Sequence, residues 1–498
     1  MTDDSGLVLQ IGRRKLLALL GSAAVSGGVV YELFGNRLAG LSGEPLANIE
    51  ETPKENPNEE TASKPNGENI RAYGARPNPT DPSIAAAERN LNALQAAAKE
   101  AGAHGTIYVP EGTYYIGRRR PQYEPFNRIG DGEDMPPGIS IRGAGPHASE
   151  LAITGQLRAG SHPVQTGFRY MDDMDHGTVT VRDIRLNGNY ENLPNLRDAG
   201  GGSRCIKIGG DGDLHLLNAH IRGWYQEAIL GRDVLRTVDR CTFADNAIAD
   251  HNYSNGRHVG HHITTHASEG NPLTVANSHF IDCSGSAIDV RFNAGEISVR
   301  NCYVTGTGAN FCKLSAASLL DVRRVYHRAN TPSLETKLDD IPGHEFDGRQ
   351  FIQRIASRTD VPPTVRLNNV VTTDMTDYAL QCRIGEMTVE GDMIAIANTN
   401  IREDDEVIRD RDSGWFSDVD IGRLSVHECN GKVFDLNSSS GTIRTLARNN
   451  NQGGIGNTAD LTVETDAKGQ EPFEPSVPSP GDVGIDSASY SAAGGNQR

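Results

Sequence analysis

Apolar and polar residues alternate in short runs along most of the chain, and five of these runs share one pattern: 216–221, 238–243, 275–280, 299–304 and 367–372. Each is followed by a second apolar anchor. It comes 13 residues after the first in four units (216 to 229, 275 to 288, 299 to 312, 367 to 380) and 10 after it in the fifth (238 to 248). Period-2 alternation over four to six residues specifies strands, not helices. Neighbouring units start 22 (216 to 238) or 24 (275 to 299) residues apart. That spacing means stacked supersecondary units, none able to bury its apolar side alone. One unit therefore reads as one coil of a parallel β-solenoid. The 68-residue gap from 299 to 367 leaves room for further coils, one beginning at Val322.

Positions within the unit have separate tasks. The third is Asn218, Arg240, Asn277, Asn301 and Asn369. Asn tolerates left-handed backbone angles and bonds its own main chain, so this row predicts a stacked tight turn. The fourth (Ala219, Cys241, Ser278, Cys302, Val370) is small and predicted to point inward; the sixth is Ile221, Phe243, Phe280, Val304 and Thr372, with Phe280 expected to be buried between coils.

Flanking segments break the pattern. Arg13-Arg14-Lys15 precedes an apolar run over 16–30, so residues 1–40 read as a twin-arginine-type export signal. The alternative is a retained membrane anchor, since 16–34 nearly suffices to span a bilayer. Either way the protein is expected outside the cell or at its surface, touching membrane only through this segment. Residues 41–69 read as a disordered linker, 70–463 as the solenoid with its cap, and 464–498 as a disordered tail. Asp81-Pro82 predicts a helix start. Ile84, Ala87, Leu91, Leu94 and Ala98 then share one face, and Gly102 ends the helix. Residues 329–363 read as a long charged loop, and 421–436 as one more coil.

Ala72-Tyr-Gly-Ala75, Thr80-Asp81, the Ala-rich helix and the 107–116 string IYVPEGTYYI resemble the N-terminal cap of the pectate-lyase-like superfamily. The resemblance implies an all-β fold, a right-handed single-stranded parallel β-helix whose open end is plugged by the helix. It leaves function open, because that superfamily holds lyases, hydrolases, epimerases and non-enzymatic adhesins. The chain departs from the polygalacturonase motifs: Gly260-His261 is followed by His262, and Arg383-Ile384 by Gly385. No double-carboxylate hydrolase roles are carried over.

The chain carries 48 Lys and Arg against 65 Asp and Glu, a net charge of −17, which argues against nonspecific nucleic-acid binding. Its seven Cys all follow residue 204 and form no CxxC, so they read as small buried hydrophobes rather than a disulfide framework.

Candidate chemistry follows from the register. The first outward positions after the anchors are Lys207, Leu230, Ala249, Asp289, Lys313 and Gln381. The next are Gly209, Arg232, His251, Arg291, Ser315 and Arg383. Arg232, His251 and Arg291 are thus expected on one face, with Asp289 beside Arg291 and Lys313 one coil on. Cations next to a carboxylate suit uronate binding and β-elimination. The same residues also read as a solvated ion-pair ladder. In the catalytic reading His251 is the base, Arg291 the charge stabiliser, Lys313 its helper, and Asp289 orients Arg291. Arg232, Tyr253 and Arg383 bind substrate. Residues 245–266 hold five of the chain's 15 His and read as an inserted loop. Asp172-Asp173-Met174-Asp175 and Asp211-Gly212-Asp213 are candidate calcium ligands, although Asp-Gly turns need no metal. The resulting expectation is an exported lyase or glycosidase acting on a uronate-containing polysaccharide. The alternative is a noncatalytic adhesin or envelope protein on the same solenoid.

Overall fold

A computed structural model describes residues 67–78, 83–117, 136–154, 166–170, 175–189, 204–224, 226–246, 260–266, 269–292, 295–315, 317–339, 349–355, 362–399, 406–449, 451 and 453–483. The predicted export signal and the linker up to 66 lie outside the described residues, as do 484–498. Among the described residues no helix is long and apolar enough to cross a membrane.

The structure is mostly β, with parallel strands and few helices. Each coil adds a strand to each of three parallel ladders. One coil runs Ile229–Arg232, Leu235–Asp239, Thr242–Asn246; the next runs Ile263–His266, Leu273–Ala276, His279–Cys283. In the first ladder Ile206, Ile229, Ile263, Ile288, Cys312, Ile352 and Leu380 stack in register. All are buried, as are Ile221, Phe243, Phe280 and Val304 of the third. Phe243 and Phe280 lie parallel, with ring centroids 5.1 Å apart. All seven cysteines are buried and free.

The predicted turn row holds. Asn218, Arg240, Asn277, Asn301 and Asn369 have φ of 49°, 53°, 48°, 53° and 54°. Asn301 Nδ2 donates to Asn277 Oδ1 at 2.7 Å. Where Arg240 interrupts the amides, Asp239 substitutes, accepting from Asn277 Nδ2 at 2.8 Å.

At the N-terminal end, helix α1 (Ile84–Ala101) buries the five predicted face residues and ends at Gly102, φ 71°. Ser83 is its N-cap, accepting from the Ala86 N–H. Asp81 and Pro82 lie outside the described residues.

Three expectations need correction. First, the first-ladder strand between Ile229 and Ile288 is anchored by Ile263, so Thr264 occupies the position expected for Ala249, and Arg232 pairs with His266 where His251 was expected. The Ala247-Ile248 pair imitates an anchor in sequence and lies outside the described residues. Second, the expected 329–363 loop contains helix α2 (Pro332–Asp339) and the strand Gln350–Arg354. Lys337 on α2 donates to Asp245 and Asp282, 2.5 Å each, which ties the helix to the coils beneath. Third, the boundary at 463 falls inside a strand, Asp460–Lys468, and residues 469–483 continue in a defined path against the solenoid. At the other end Glu68–Asn69, assigned to the linker, already pairs with Ile107 and Tyr108.

Candidate functional site

Two rows of mostly polar residues flank the inward anchors of the first ladder, and most of them are buried. The row after the anchors runs Lys207, Leu230, Thr264, Asp289, Lys313, Gln353, Gln381 and Arg409. The row two residues before them runs Arg204, Glu227, His261, Ser286, Asn310 and Gln350, fixed by main-chain bonds such as Ala228 N–H to His261 O and Ala287 N–H to Asn310 O. Strands in register lie about 4.8 Å apart. Side chains of the two rows therefore meet across the strand and between neighbouring coils.

They converge at Asp289. Its Oδ2 accepts from Arg291 Nε at 2.5 Å and lies 3.2 Å from His261 Nε2. Arg291 Nη2 stands 3.6 Å from Glu227 Oε1, and Glu227 Oε2 accepts from Arg204 Nε at 2.9 Å. A register shift explains the reach of Arg291: Thr265 pairs with Val290 but His266 with Phe292, which leaves Arg291 on a bulge. Bulges re-aim side chains in this way.

Burial divides the cluster. Asp289, His261 and Glu227 are buried, with 1%, 3% and 4% of their surface exposed. The side chains of Arg291 and Arg204 keep 31% and 26% exposure. The surface at this point is thus cationic and the acids lie beneath it, within a protein that is acidic as a whole.

The electrostatics follow. Burial pushes the His261 imidazole down to about 4, with Asp289 opposing and Arg291 and Lys313 assisting, so the ring is neutral at pH 7. Its Nδ1 accepts the Ser286 N–H at 2.9 Å, which puts the single ring proton on Nε2, facing Asp289. That contact is poorly aligned: His261 Nε2 and Asp289 Oδ1 are both buried without a hydrogen-bond partner. Burial works to raise Asp289, but His261, Arg291 and Lys313 outweigh it and hold the carboxyl below its usual range. Glu227 is likewise raised by burial and lowered further by Arg204, Arg291 and His261, so its net shift is downward.

Of the residues expected at the site, the structure brings together Asp289, Arg291 and Lys313, the last paired in register with Asp289. Arg232 lies exposed at the end of its strand, paired with His266. Arg383 is exposed beyond Gln381, three coils from Asp289, roughly 14 Å along the stack. His251 and Tyr253 lie outside the described residues. Glu227 and Arg204 were missed because only positions after the anchor were considered, and strict alternation would assign the residue two before it to the anchor's own face, so the period-2 pattern carries no signal for them. Among the described residues no group of three or more His, Cys, Asp or Glu side chains is arranged to hold a metal ion. Of the proposed calcium ligands, Asp213 pairs with Arg236 at 2.6 Å, Asp175 accepts the Gly177 N–H at 2.8 Å, and 172–174 lie outside the described residues.

No protein-family model and no curated protein sequence matches the chain. Solved structures do. An open reading frame 18 protein of Geobacillus virus E2 is 12% identical over 71% of this chain and 61% of its own, TM-score 0.45. The chain thus spans about three fifths of that protein. The catalytic unit of a GH87 α-1,3-glucanase from Streptomyces thermodiastaticus is 13% identical over 83% of this chain and 70% of its own, TM-score 0.45. PfbA, a surface adhesin of Streptococcus pneumoniae, is 12% identical over 82% of this chain and 94% of its own, TM-score 0.48. Likenesses of this size bear on neither substrate nor reaction.

Proposed function

We propose that this is an exported, right-handed single-stranded β-helix protein that binds an acidic polysaccharide along the outward face of its first ladder and cleaves it by β-elimination. One observation carries the reading: a half-exposed guanidinium, Arg291, held by two buried, ionised carboxylates, with Lys313 on the next coil. An arginine held at two of its three nitrogens presents its remaining donors in a set direction, which suits a uronate carboxylate. Lys207 and Arg232 extend the cationic surface toward earlier coils, and Arg383 offers a contact for a more distant sugar.

Elimination suits the site better than hydrolysis. A glycosidase acid needs a carboxyl with a raised pKa, whereas Asp289 and Glu227 are both lowered. In the elimination a base removes the proton α to the uronate carboxylate. The electron pair forms the ring double bond, the glycosidic C–O bond breaks, and the leaving oxygen is protonated. Arg291 and Lys313 neutralise the charge that develops on the carboxylate; Asp289, Glu227 and neutral His261 position Arg291. His251 is assigned as base and Tyr253 as the group stacking on the sugar.

The adhesin reading has its own support: both carboxylates are already paired with internal cations, so the same surface can bind without reacting. The test is to incubate the protein with pectate and alginate and to follow ultraviolet absorbance of the unsaturated product, reducing ends, and calorimetric binding. Absorbance should rise, and Lys313→Gln should lower both affinity and rate about tenfold, the loss of one close charge contact. Binding without product makes the protein an adhesin. Reducing ends without absorbance makes it a hydrolase, and no binding to either polymer overturns the proposal.

A further inference from the structure

Large apolar side chains are covered almost everywhere along the solenoid. Among the described residues the exposed ones are Ile384 and Trp415, at 37% and 38% exposure. A single exposed apolar residue needs no explanation, but these two are neighbours. Ile384 lies on the strand Leu380–Ala397 and Trp415 on the strand of the next coil, Glu406–His427. Ile384 pairs with Ser413 and Glu386 with Trp415, so the two stand diagonally across adjacent strands, roughly 8 Å apart at Cα.

The backbone sets them there. The strand from Leu380 runs on from the first ladder into the second without a break, and it bends at Gly385, φ 70°. A Cβ at Gly414, the partner of Gly385, would lie 2.5 Å from Cys382 O and 2.6 Å from Ile384 N, so the two strands press together beneath the pair. Met387 and Phe416 point into the core and are buried. Trp415, one residue before Phe416, faces the other way. A bulge places charge beside this platform. Cys382 pairs with Asp410 and Ile384 with Ser413, which leaves Arg383 opposite Arg411 and Asp412. Arg383 and Arg411 are both exposed, and both also make contacts within the chain. Like charges on facing positions weaken a sheet, and an anion bound between them removes that penalty.

We propose that Trp415, Ile384, Arg383 and Arg411 form a distal subsite for an acidic polysaccharide, in which the apolar face of one sugar ring lies on the indole and its carboxylate meets the two guanidinium groups. This rests on the reading of the first ladder as the polysaccharide-binding face. The row carrying Asp289, Lys313, Gln353, Gln381 and Arg409 leads to the platform, four coils in all. That is roughly 19 Å, or about four sugar units at one per coil. The size of the platform selects its occupant. One indole and one isoleucine match a sugar ring, whereas a stable protein partner needs about 1,000 Å² or more of contact.

The experiment uses the full chain with trimers and hexamers of galacturonate and of mannuronate. They are titrated in the cold, ahead of turnover, and followed by calorimetry and by acrylamide quenching of indole fluorescence. Trp224 is buried, so quenching reports on Trp415. A hexamer reaches from Arg291 to Trp415 and a trimer does not. The parent should therefore bind the hexamer at least tenfold more tightly, with Trp415 shielded from the quencher. Trp415→Ala should bring hexamer affinity down to that of the trimer, and Trp415→Phe should keep most of it. Arg383→Gln with Arg411→Gln should lower it at least fivefold. The denaturant midpoint of each variant separates lost binding from lost fold. A hexamer advantage that survives Trp415→Ala overturns the proposal. So does a parent oligomer that Trp415→Ala dissociates, which makes the platform an interface between copies. Lys313→Gln reports on the first ladder separately: weaker trimer binding with Trp415 silent upholds that face and sinks the subsite, and the reverse upholds the subsite alone. No binding in either series overturns both.

Discussion

At the residue scale, the structure changes what Arg291 is expected to do. Read from sequence it is a solvent-facing side chain whose removal leaves the fold intact. It is in fact the counter-ion of buried Asp289 and Glu227. Arg291→Ala leaves two buried carboxylates short of a partner, a situation that costs about 3–5 kcal/mol. Arg291→Lys should recover part of that stability but not bidentate recognition of substrate. Denaturant unfolding of both variants checks this: equal stability of Arg291→Ala and the parent would show the ion network to be unimportant. The asparagine row was legible residue by residue, because only a few side chains tolerate φ near +50°. Asn277→Ala should cost about 1–2 kcal/mol in backbone strain, with Asn277→Gly costing less, measured the same way. Glu227 and Arg204 were not legible as site residues: each looks like an ordinary charge beside a small-apolar pair until the register places it beside Arg291.

At the scale of elements, the strands were legible because period-2 alternation and a repeated spacing reinforce each other, and the cap helix because its apolar face is unbroken. The 247–262 region was not, since Ala247-Ile248 satisfies the local pattern as well as Ile263 does, and only pairing with Ile229 and Ile288 decides between them. Helix α2 was hidden for a different reason. It is eight residues long and weakly amphipathic, and Lys337 bridging Asp245 and Asp282 is a contact 92 and 55 residues distant in sequence. Local propensity carries no trace of such a tether. The core elements support a direct test. Phe280 stacks on Phe243 with an interplanar angle of 3° and is fully buried. Phe280→Ala should therefore cost roughly 3–5 kcal/mol, seen as a lower midpoint at unchanged denaturant slope. A midpoint equal to the parent's would contradict the inward register.

At the scale of the whole molecule, the placement of residues 469–483 escaped sequence reading because a Pro- and Ser-rich tail has the composition of disorder, and its alternating burial makes sense only against a surface already built. The histidines show a similar dependence on the assembled stack. Burial lowers His261 to about 4 and His262, His279 and His327 to about 3, with repulsion from neighbouring histidines adding to the shift of His262. His327 is held neutral between two hydroxyls, Thr307 at 2.9 Å and Thr372 at 2.8 Å. In the unfolded chain each ring takes up a proton below about pH 6.5, whereas the native state refuses it until about pH 4 or 3. Between those limits the unfolded state binds more protons, so stability rises with pH and is lost as pH falls, by about 1.4 kcal/mol per pH unit for each such histidine. The contribution is complete above pH 6.5 and declines steadily toward pH 4, before the lowered carboxylates Asp289 and Glu227 begin to add their own loss. Urea unfolding at pH 7, 6 and 5 should show this fall, and His327→Gln, which cannot titrate, should flatten the slope by one histidine's share. A stability curve level from pH 7 to 5 would mean that these rings gain their protons without opening the stack.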